Sequence, residues 1–453
     1  MEKEQLEELF ERITELFEEG NYPKIRAVIS ELEPYDLAMI CEELEEKRLP
    51  VFFRMMAKDV AAECFSNMSS ELQELLIKKM SDSELKAMLD ELFVDDTVDI
   101  IEEMPANVAA RMLANSDPET RAQINQILNY PKDSAGSIMT TEYVRLDKNM
   151  SVNDAFTRIR RVGTDKETIY TCYVTQSDRT LVGVVTAMDL MLAEPDTLIS
   201  ELMETNVIFS TTDEDKSSVV KKFSDYDFLA IPVVDKGNRL VGIVTVDDAI
   251  DVALEEATED VEMMAGITPS DKPYLKVGVF STWLSRVPWL MLLMLSATFT
   301  GAIISAYEEA LSHLVILTAF IPMLMGTAGN AGGQSSVTII RALSLGDVVP
   351  GDILRILWKE LRVSLLCGVS LAIVGFFKAI WLDGANTLVA MVVCLTLFAT
   401  VVASKVVGCC FPVLIKKIGF DPAVVASPFI TTVIDALALV VYFAVATALI
   451  PNL

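Results

Sequence analysis

The sequence predicts a multidomain α-helical membrane protein: a cytosolic α-helical superhelix, a tandem α/β pair, a long linker helix and a five-helix transmembrane domain. Three observations predict it. Charge is divided along the 453 residues: the formal net charge is −28, yet from Lys272 onward 11 Lys+Arg stand against 8 Asp+Glu, leaving 26 against 57 before it. A motif recurs, since RTLVGVVTAMDLM (Arg179 to Met191) returns as NRLVGIVTVDDAI (Asn238 to Ile250). The near-neutral C-terminal part also carries apolar runs longer than the roughly 20 residues that span a bilayer, the last from Val424 to Ile450.

These features exclude several function classes. So acidic a soluble half disfavours nucleic acid, phosphate or lipid-headgroup partners and favours cations. The N-terminus, MEKEQLEELFERITELFEEG, is an acidic amphipathic helix without the apolar core of a signal peptide, so the soluble half is expected in the cytosol. Seven cysteines without a C-x-x-C pair read as reduced, buried small residues. A single histidine, His313, cannot build a zinc site, so any metal chemistry rests on oxygen ligands, which suit Mg²⁺, Ca²⁺ or Mn²⁺. There is no nucleophile and base constellation and no phosphate loop, which argues against an enzyme.

Residues 1–131 contain short helical patterns such as PYDLAMICEELEEK, LPVFFRMMAKDVAAECF, SSELQELLIKKM and SDSELKAMLDEL, with apolar residues at i, i+3 and i+4 and Ser or Asp at several starts. Stacked helix pairs are the expected result. Residues 132–252 hold the repeat, each copy following a β-like run, IYTCYV or LAIPVV, and preceding a helix. Thr186 with Asp189, and Thr245 with Asp248, occupy equivalent places where a strand turns into a helix, and a hydrogen-bonded N-cap alone accounts for such a pair.

The linker, residues 253–280, continues a helix that begins in VDDAIDVALEEATEDVEMMAGI. On it Asp248, Asp251, Glu255, Glu259 and Glu262 follow steps of three and four and form one carboxylate stripe. A second ladder, Glu91, Asp95, Asp99 and Glu102 with Asp96 beside it, lies in LDELFVDDTVDIIEEM. Two such faces close only across divalent cations, which makes a switch: metal present, compact; metal absent, apart.

Residues 281–453 contain five candidate spans, about Val287 to Tyr307, Leu314 to Ile340, Val363 to Leu382, Thr387 to Val407 and Val424 to Ile450. The loops Arg341 to Arg362 and Lys405 to Asp421 carry basic residues, whereas YEEALSH and LDGAN carry no Lys or Arg. The positive-inside rule then puts the acidic half inside and the C-terminus outside. In the second span Pro322, Gly326, Gly329, Gly332 and Gly333 are expected to loosen the helix at membrane depth, which is tolerated only against protein or a water-filled cavity, with close helix packing as the alternative. The last span holds a lone carboxylate, Asp435, at a cost of about 2.5 to 3.5 kcal/mol at the bilayer centre. It is read as a cation site, with an ion pair to Lys405 as the rival.

The motifs SIMTTEYVRL and two copies of G-[VI]-V-T-x-x-D resemble a tandem pair of CBS domains; the resemblance implies a nucleotide site that includes Thr186, Asp189 and Phe228, with ATP as an optional ligand. With the DD of DELFVDD, YPKDSAGSIMTTEYV, PMLMGTAGNAGGQ, DPAVVASP and TTVID in order, the whole chain resembles the MgtE family of CBS-regulated magnesium channels. That resemblance implies a homodimer in the cell (inner) membrane that takes hydrated Mg²⁺ into the cytosol at Asp435, with Pro322, Gly326, Gly329, Asn330, Thr431 and Thr432 lining the path or breaking its helix. It implies regulatory Mg²⁺ at Asp95, Asp215, Asp227, Asp248, Asp251, Glu256, Glu259, Asp260 and Asp421, which closes the channel through a linker "plug" helix. The alternative is a cation- or proton-coupled secondary transporter with nucleotide-sensing CBS domains.

Overall fold

The computed structural model describes residues 3–270, 274, 277–308 and 314–450; His313 and Leu453 lie outside the described residues. The chain forms two compact units, Met1–Ala253 and Leu254–Leu453.

The first unit begins with ten helices among the described residues, from Lys3–Glu18 to Pro118–Ile127. Their apolar faces meet in one core that includes Ile13, Leu37, Phe52, Phe65, Leu76 and Met112. The pattern LPVFFRMMAKDVAAECF, expected as one helix, is two, Leu49–Phe53 and Lys58–Ser66. Ala57 between them is extended (φ −67°, ψ 155°), which turns the chain and lets Met56 face the core. The expected cap at Ser81 is present: its hydroxyl accepts from the Glu84 N–H while Glu84 accepts from the Ser81 N–H.

Each repeat copy builds a three-stranded sheet. In the first, β1 (Tyr143–Asp147) runs parallel to β2 (Thr168–Thr175), which pairs antiparallel with β3 (Leu181–Thr186). In the second, β4 (Ser210–Thr211), β5 (Ala230–Val234) and β6 (Leu240–Thr245) repeat that order. The registers Thr171↔Thr186 and Ala230↔Thr245 make the two motif threonines structural equivalents. After β6 the chain enters the helix Val246–Met264, which carries the acidic stripe out of the repeat.

The second unit contains the helices Val279–Ala306, Ile316–Ser344, Ile353–Trp381, Thr387–Ile418 and Pro422–Leu449. Four helices among the described residues are long and apolar enough to cross a membrane: Val279–Ala306, Pro350–Trp381, Thr387–Ile418 and Phe429–Leu449. Ile316–Ser344 is 29 residues long, but its Gly, Ser, Asn and Gln keep it less apolar. The loosening expected in that span is absent. The helix is continuous with Pro322 inside it; of its glycines Gly332 serves the alternative, close packing, whereas a Cβ at Gly326 or Gly333 would meet nothing within 4 Å. A Cβ at Gly332 would collide with the side chain of Ile434, and one at Gly408 would collide with the Gly332 carbonyl. Backbones approach here because neither residue has a side chain.

The helices overrun their apolar windows, two of them by ten residues or more. Ile353–Trp381 starts ten residues before Val363 because Arg355, Lys359 and Arg362 ride on it, and Thr387–Ile418 continues to the left-handed Gly419 (φ 93°). Lys405, expected in an inside loop, is therefore within a helix and buried. Lys378 sits near the opposite end of its helix, where Asp383 neutralises it at 2.7 Å.

Candidate cation sites

The acidic residues of the first unit converge. The helix Val94–Glu103 presents Asp95, Asp96 and Asp99, and the helix after β6 presents Asp247 and Asp248. Between them stand Glu142 and Glu167, which precede β1 and β2; the parallel register Tyr143↔Thr168 sets these two glutamates side by side. Asp95, Glu142 and Glu167 each offer a carboxylate oxygen, all within 4.8 Å of one another. Few donors compensate them. The Asp96 N–H donates to Asp95 Oδ1 (3.1 Å), the Val94 N–H to Glu142 Oε2 (3.0 Å) and the Thr245 hydroxyl to Asp248 Oδ2 (2.5 Å). Glu167 Oε2 is buried without a partner.

The electrostatics follow from burial and like charge. Burial first, then neighbouring carboxylates, push Asp95 and Asp248 up to about 7 and Asp99 and Glu167 up to about 8. Asp96 rises to about 6 for the same reasons. Burial also raises Glu142, and Asp251 rises through burial and then Asp247. A cluster that holds its protons so high is one that a divalent cation with oxygen preference would relieve.

The other expected ligands have varied surroundings. Asp215 caps the helix Lys216–Tyr226 by accepting from the Ser217 N–H at 3.0 Å, and Asp227 ends that helix in a left-handed conformation (φ 55°). Both have local structural reasons. The Thr186 and Asp189 pair forms a reciprocal capping box, as the N-cap account requires, and Phe228 stacks on Tyr226 with centroids 5.6 Å apart. Glu102 lies 3.6 Å from Lys132.

In the second unit the linker helix ends against the membrane helices. Met263 and Met264 pack against the buried cluster that includes Ala328, Ile340, Ile430 and Ile434, and the Ser344 hydroxyl donates to Asp260 Oδ2 at 3.4 Å. Burial and then the nearby Asp421 raise the Asp260 carboxyl. Glu256 and Glu259 are carried on the same helix.

Asp435 lines a groove of about 910 Å³ with Gly326, Gly329, Asn330, Gly333, Gln334 and Thr431. A Cβ built at Gly329 would lie 3.8 Å from Asp435 Oδ1, so the glycine helix passes the carboxylate with space between them. Thr432 points elsewhere, its hydroxyl 3.0 Å from that of Ser296, and Pro322 does not line the groove. Lys405, the rival partner of Asp435, instead donates to Ser335 Oγ at 3.3 Å.

Sequence reasoning missed Glu142 and Glu167. Their signal was the pairing of two parallel strands, which no local pattern reveals.

Known proteins match nearly the whole length. The MgtE family profile, described as divalent cation transporter, matches residues 321–445; that of the MgtE intracellular N domain matches 32–133; and that of the CBS domain matches 135–196 and 199–255. The chain is 36% identical over 447 residues to "Magnesium transporter MgtE" of Thermus thermophilus, covering 98% of this chain and 99% of that one. It is 36% identical over 452 residues to "Magnesium transporter MgtE" of Bacillus subtilis, covering 99% and 98%. A crystal structure of "the cytosolic domain of the Mg2+ channel MgtE in complex with ATP" superposes with a TM-score of 0.51 at 37% identity, covering 53% of this chain and 98% of that one.

Proposed function

Because the chain belongs to the MgtE family and is a magnesium transporter, we propose that it passes hydrated Mg²⁺ into the cytosol through the groove at Asp435 and closes when cytosolic Mg²⁺ fills its acidic clusters. The observation that carries the pore reading is the position of Asp435, the one carboxylate among the described residues of a groove otherwise lined by small, apolar, amide and hydroxyl side chains. Mg²⁺ gives up its waters reluctantly, so such a site favours holding the ion through its hydration shell. A single carboxylate is little charge for a dication. A second copy about a twofold axis along the groove would bring a second Asp435, and we take the working unit to be a homodimer.

Closure rests on Asp95, Glu142, Glu167 and Asp248 in the first unit, and on Asp260 with Asp421 in the second. Each group stores repulsion that a bound Mg²⁺ removes. The linker helix, seated by Met263 and Met264, is the plug. Asp251, Glu256, Glu259, Asp215 and Asp227 belong to the same regulatory surface in this reading. Thr186, Asp189 and Phe228 would receive an ATP at the repeat pair. Domain boundaries near residues 131, 252 and 280, five spans and an outside C-terminus complete the proposal.

The test is Mg²⁺ uptake into vesicles holding Asp435→Asn, which keeps shape and removes charge. Uptake should fall at least about tenfold, the loss expected when the main charge of an ion site is removed. Undiminished uptake would end the pore assignment.

A further inference from the structure

A pair of ionisable residues is buried in the membrane unit. Lys405 and Glu360 are 5% and 9% exposed, on the helices Thr387–Ile418 and Ile353–Trp381, and Ser335 of the glycine helix joins them at 2% exposure. Lys405 Nζ donates to Ser335 Oγ (3.3 Å), and that hydroxyl donates to Glu360 Oε2 (2.7 Å). Ionisable groups buried between helices are costly and persist where they do something. Neither side chain lines the groove, so this pair does not meet the ion directly.

The helix geometry says what it can do. At about 100° per residue, the groove-lining residues Gly326, Gly329, Asn330, Gly333 and Val337 share one face of the glycine helix. Ser335, two residues past Gly333, lies about 200° round, on the back. From there it ties to two other helices at once. Nearby, Gly332 meets Ser404 and Gly408 with no side chain between the backbones, a smooth contact that resists rotation poorly. A turn of one residue would carry Gly329 away from Asp435.

We propose that Lys405, Ser335 and Glu360 form a buried charge latch that fixes the rotation of the groove-lining helix, which makes them positioning residues for ion passage. The proposal rests on the groove being the ion path, and its test separates the two. In the full-length protein, labelling of V337C by a water-soluble thiol reagent, read above the native-cysteine background, reports the helix face whether or not ions pass. Mg²⁺ uptake reports function.

K405M leaves Glu360 without a countercharge, and E360Q does the same to Lys405; each should cut uptake about tenfold or more and change V337C labelling several-fold. K405R keeps the charge and donor and should retain both readouts. The E360Q/K405M double variant leaves no lone charge, and the amide oxygen that replaces the carboxylate can still accept from Ser335. Its uptake should therefore recover to within about threefold of the native value, a coupling that independent sites lack. If the double variant is as poor as E360Q alone, Glu360 acts on the ion itself and the latch is wrong. It is also wrong if the single variants label and transport normally. If a single variant does not fold, S335A, which removes only the bridging hydroxyl, decides: lowered uptake with altered V337C labelling supports the latch, and unchanged labelling overturns it. Altered labelling with normal uptake would keep the latch geometry and sink the groove as the ion path.

Discussion

Asp95→Asn in the soluble unit separates a metal site from a solvated acidic face. Burial and neighbouring carboxylates lift Asp95 from 3.8 to about 7. Such a group binds its proton more tightly folded than unfolded. Its contribution is therefore fully present below about pH 4 and is lost as pH rises through 7. Asp248, Asp99 and Glu167, raised to about 7, 8 and 8, extend the window to about pH 8. At about 1.4 kcal/mol per pH unit, holding Asp95 ionised at pH 8 costs about 4 kcal/mol, part of it shared with its neighbours. The substituted amide keeps an oxygen for the Asp96 N–H and removes the charge. Without metal, the variant should therefore melt about 5 to 10 °C higher than the native unit at pH 8, with roughly half that difference or less at pH 5. Millimolar Mg²⁺ should raise the native melting temperature most at pH 8, where the ion competes with the fewest protons, and should release protons into weak buffer; the variant should respond far less. A thermal melt of residues 1–264 with and without Mg²⁺, at matched ionic strength, reads all of this. If the variant melts lower at pH 8 and its Mg²⁺ response equals the native one, the carboxylates are a solvated face.

Two further outcomes concern the membrane unit. Gly408→Ala drives a Cβ into the Gly332 carbonyl, which has no rotamer to yield, so the full-length protein should lose about 1 to 3 kcal/mol and aggregate at lower temperature in a detergent melt. For topology, a cysteine at Leu382 should react with an impermeant reagent from outside intact cells and one at Asp347 only after permeabilisation; the reverse pattern would overturn the orientation.

The sequence carried the architecture because its signals there are local and periodic. The repeated G-[VI]-V-T-x-x-D motif ends strands at equivalent registers, and the apolar windows largely coincide with observed helices. Misreadings arose where meaning depends on a neighbour. Gly332 reads as a helix breaker until Gly408 and Ile434 are seen against it. Lys405 reads as a loop cation until Ser335 and Glu360 are found beside it. Glu142 and Glu167 look like ordinary acids at strand starts, and only the parallel pairing of β1 with β2 brings them to Asp95. The individual ligands were the hardest to read because an acidic stripe offers many equivalent carboxylates, and long-range register chooses among them.

The two proposed Mg²⁺ environments also differ in the way that passing an ion differs from keeping one. Conduction needs a site that attracts the ion yet releases it, whereas a sensor must hold it long enough to shift a population. Asp435 stands with glycines, amides and a hydroxyl in an open groove, so an ion there can keep its waters and leave. Asp95, Glu142 and Glu167 instead bring three carboxylate oxygens within 4.8 Å, and a Glu167 oxygen is buried without a donor. Their repulsion is largest when the site is empty and ionised. An ion that binds there gains the relief of that repulsion in addition to its own ligand bonds, and that gain is lost when it departs. Carboxylate count and burial thus divide the same chemistry between a path and a switch.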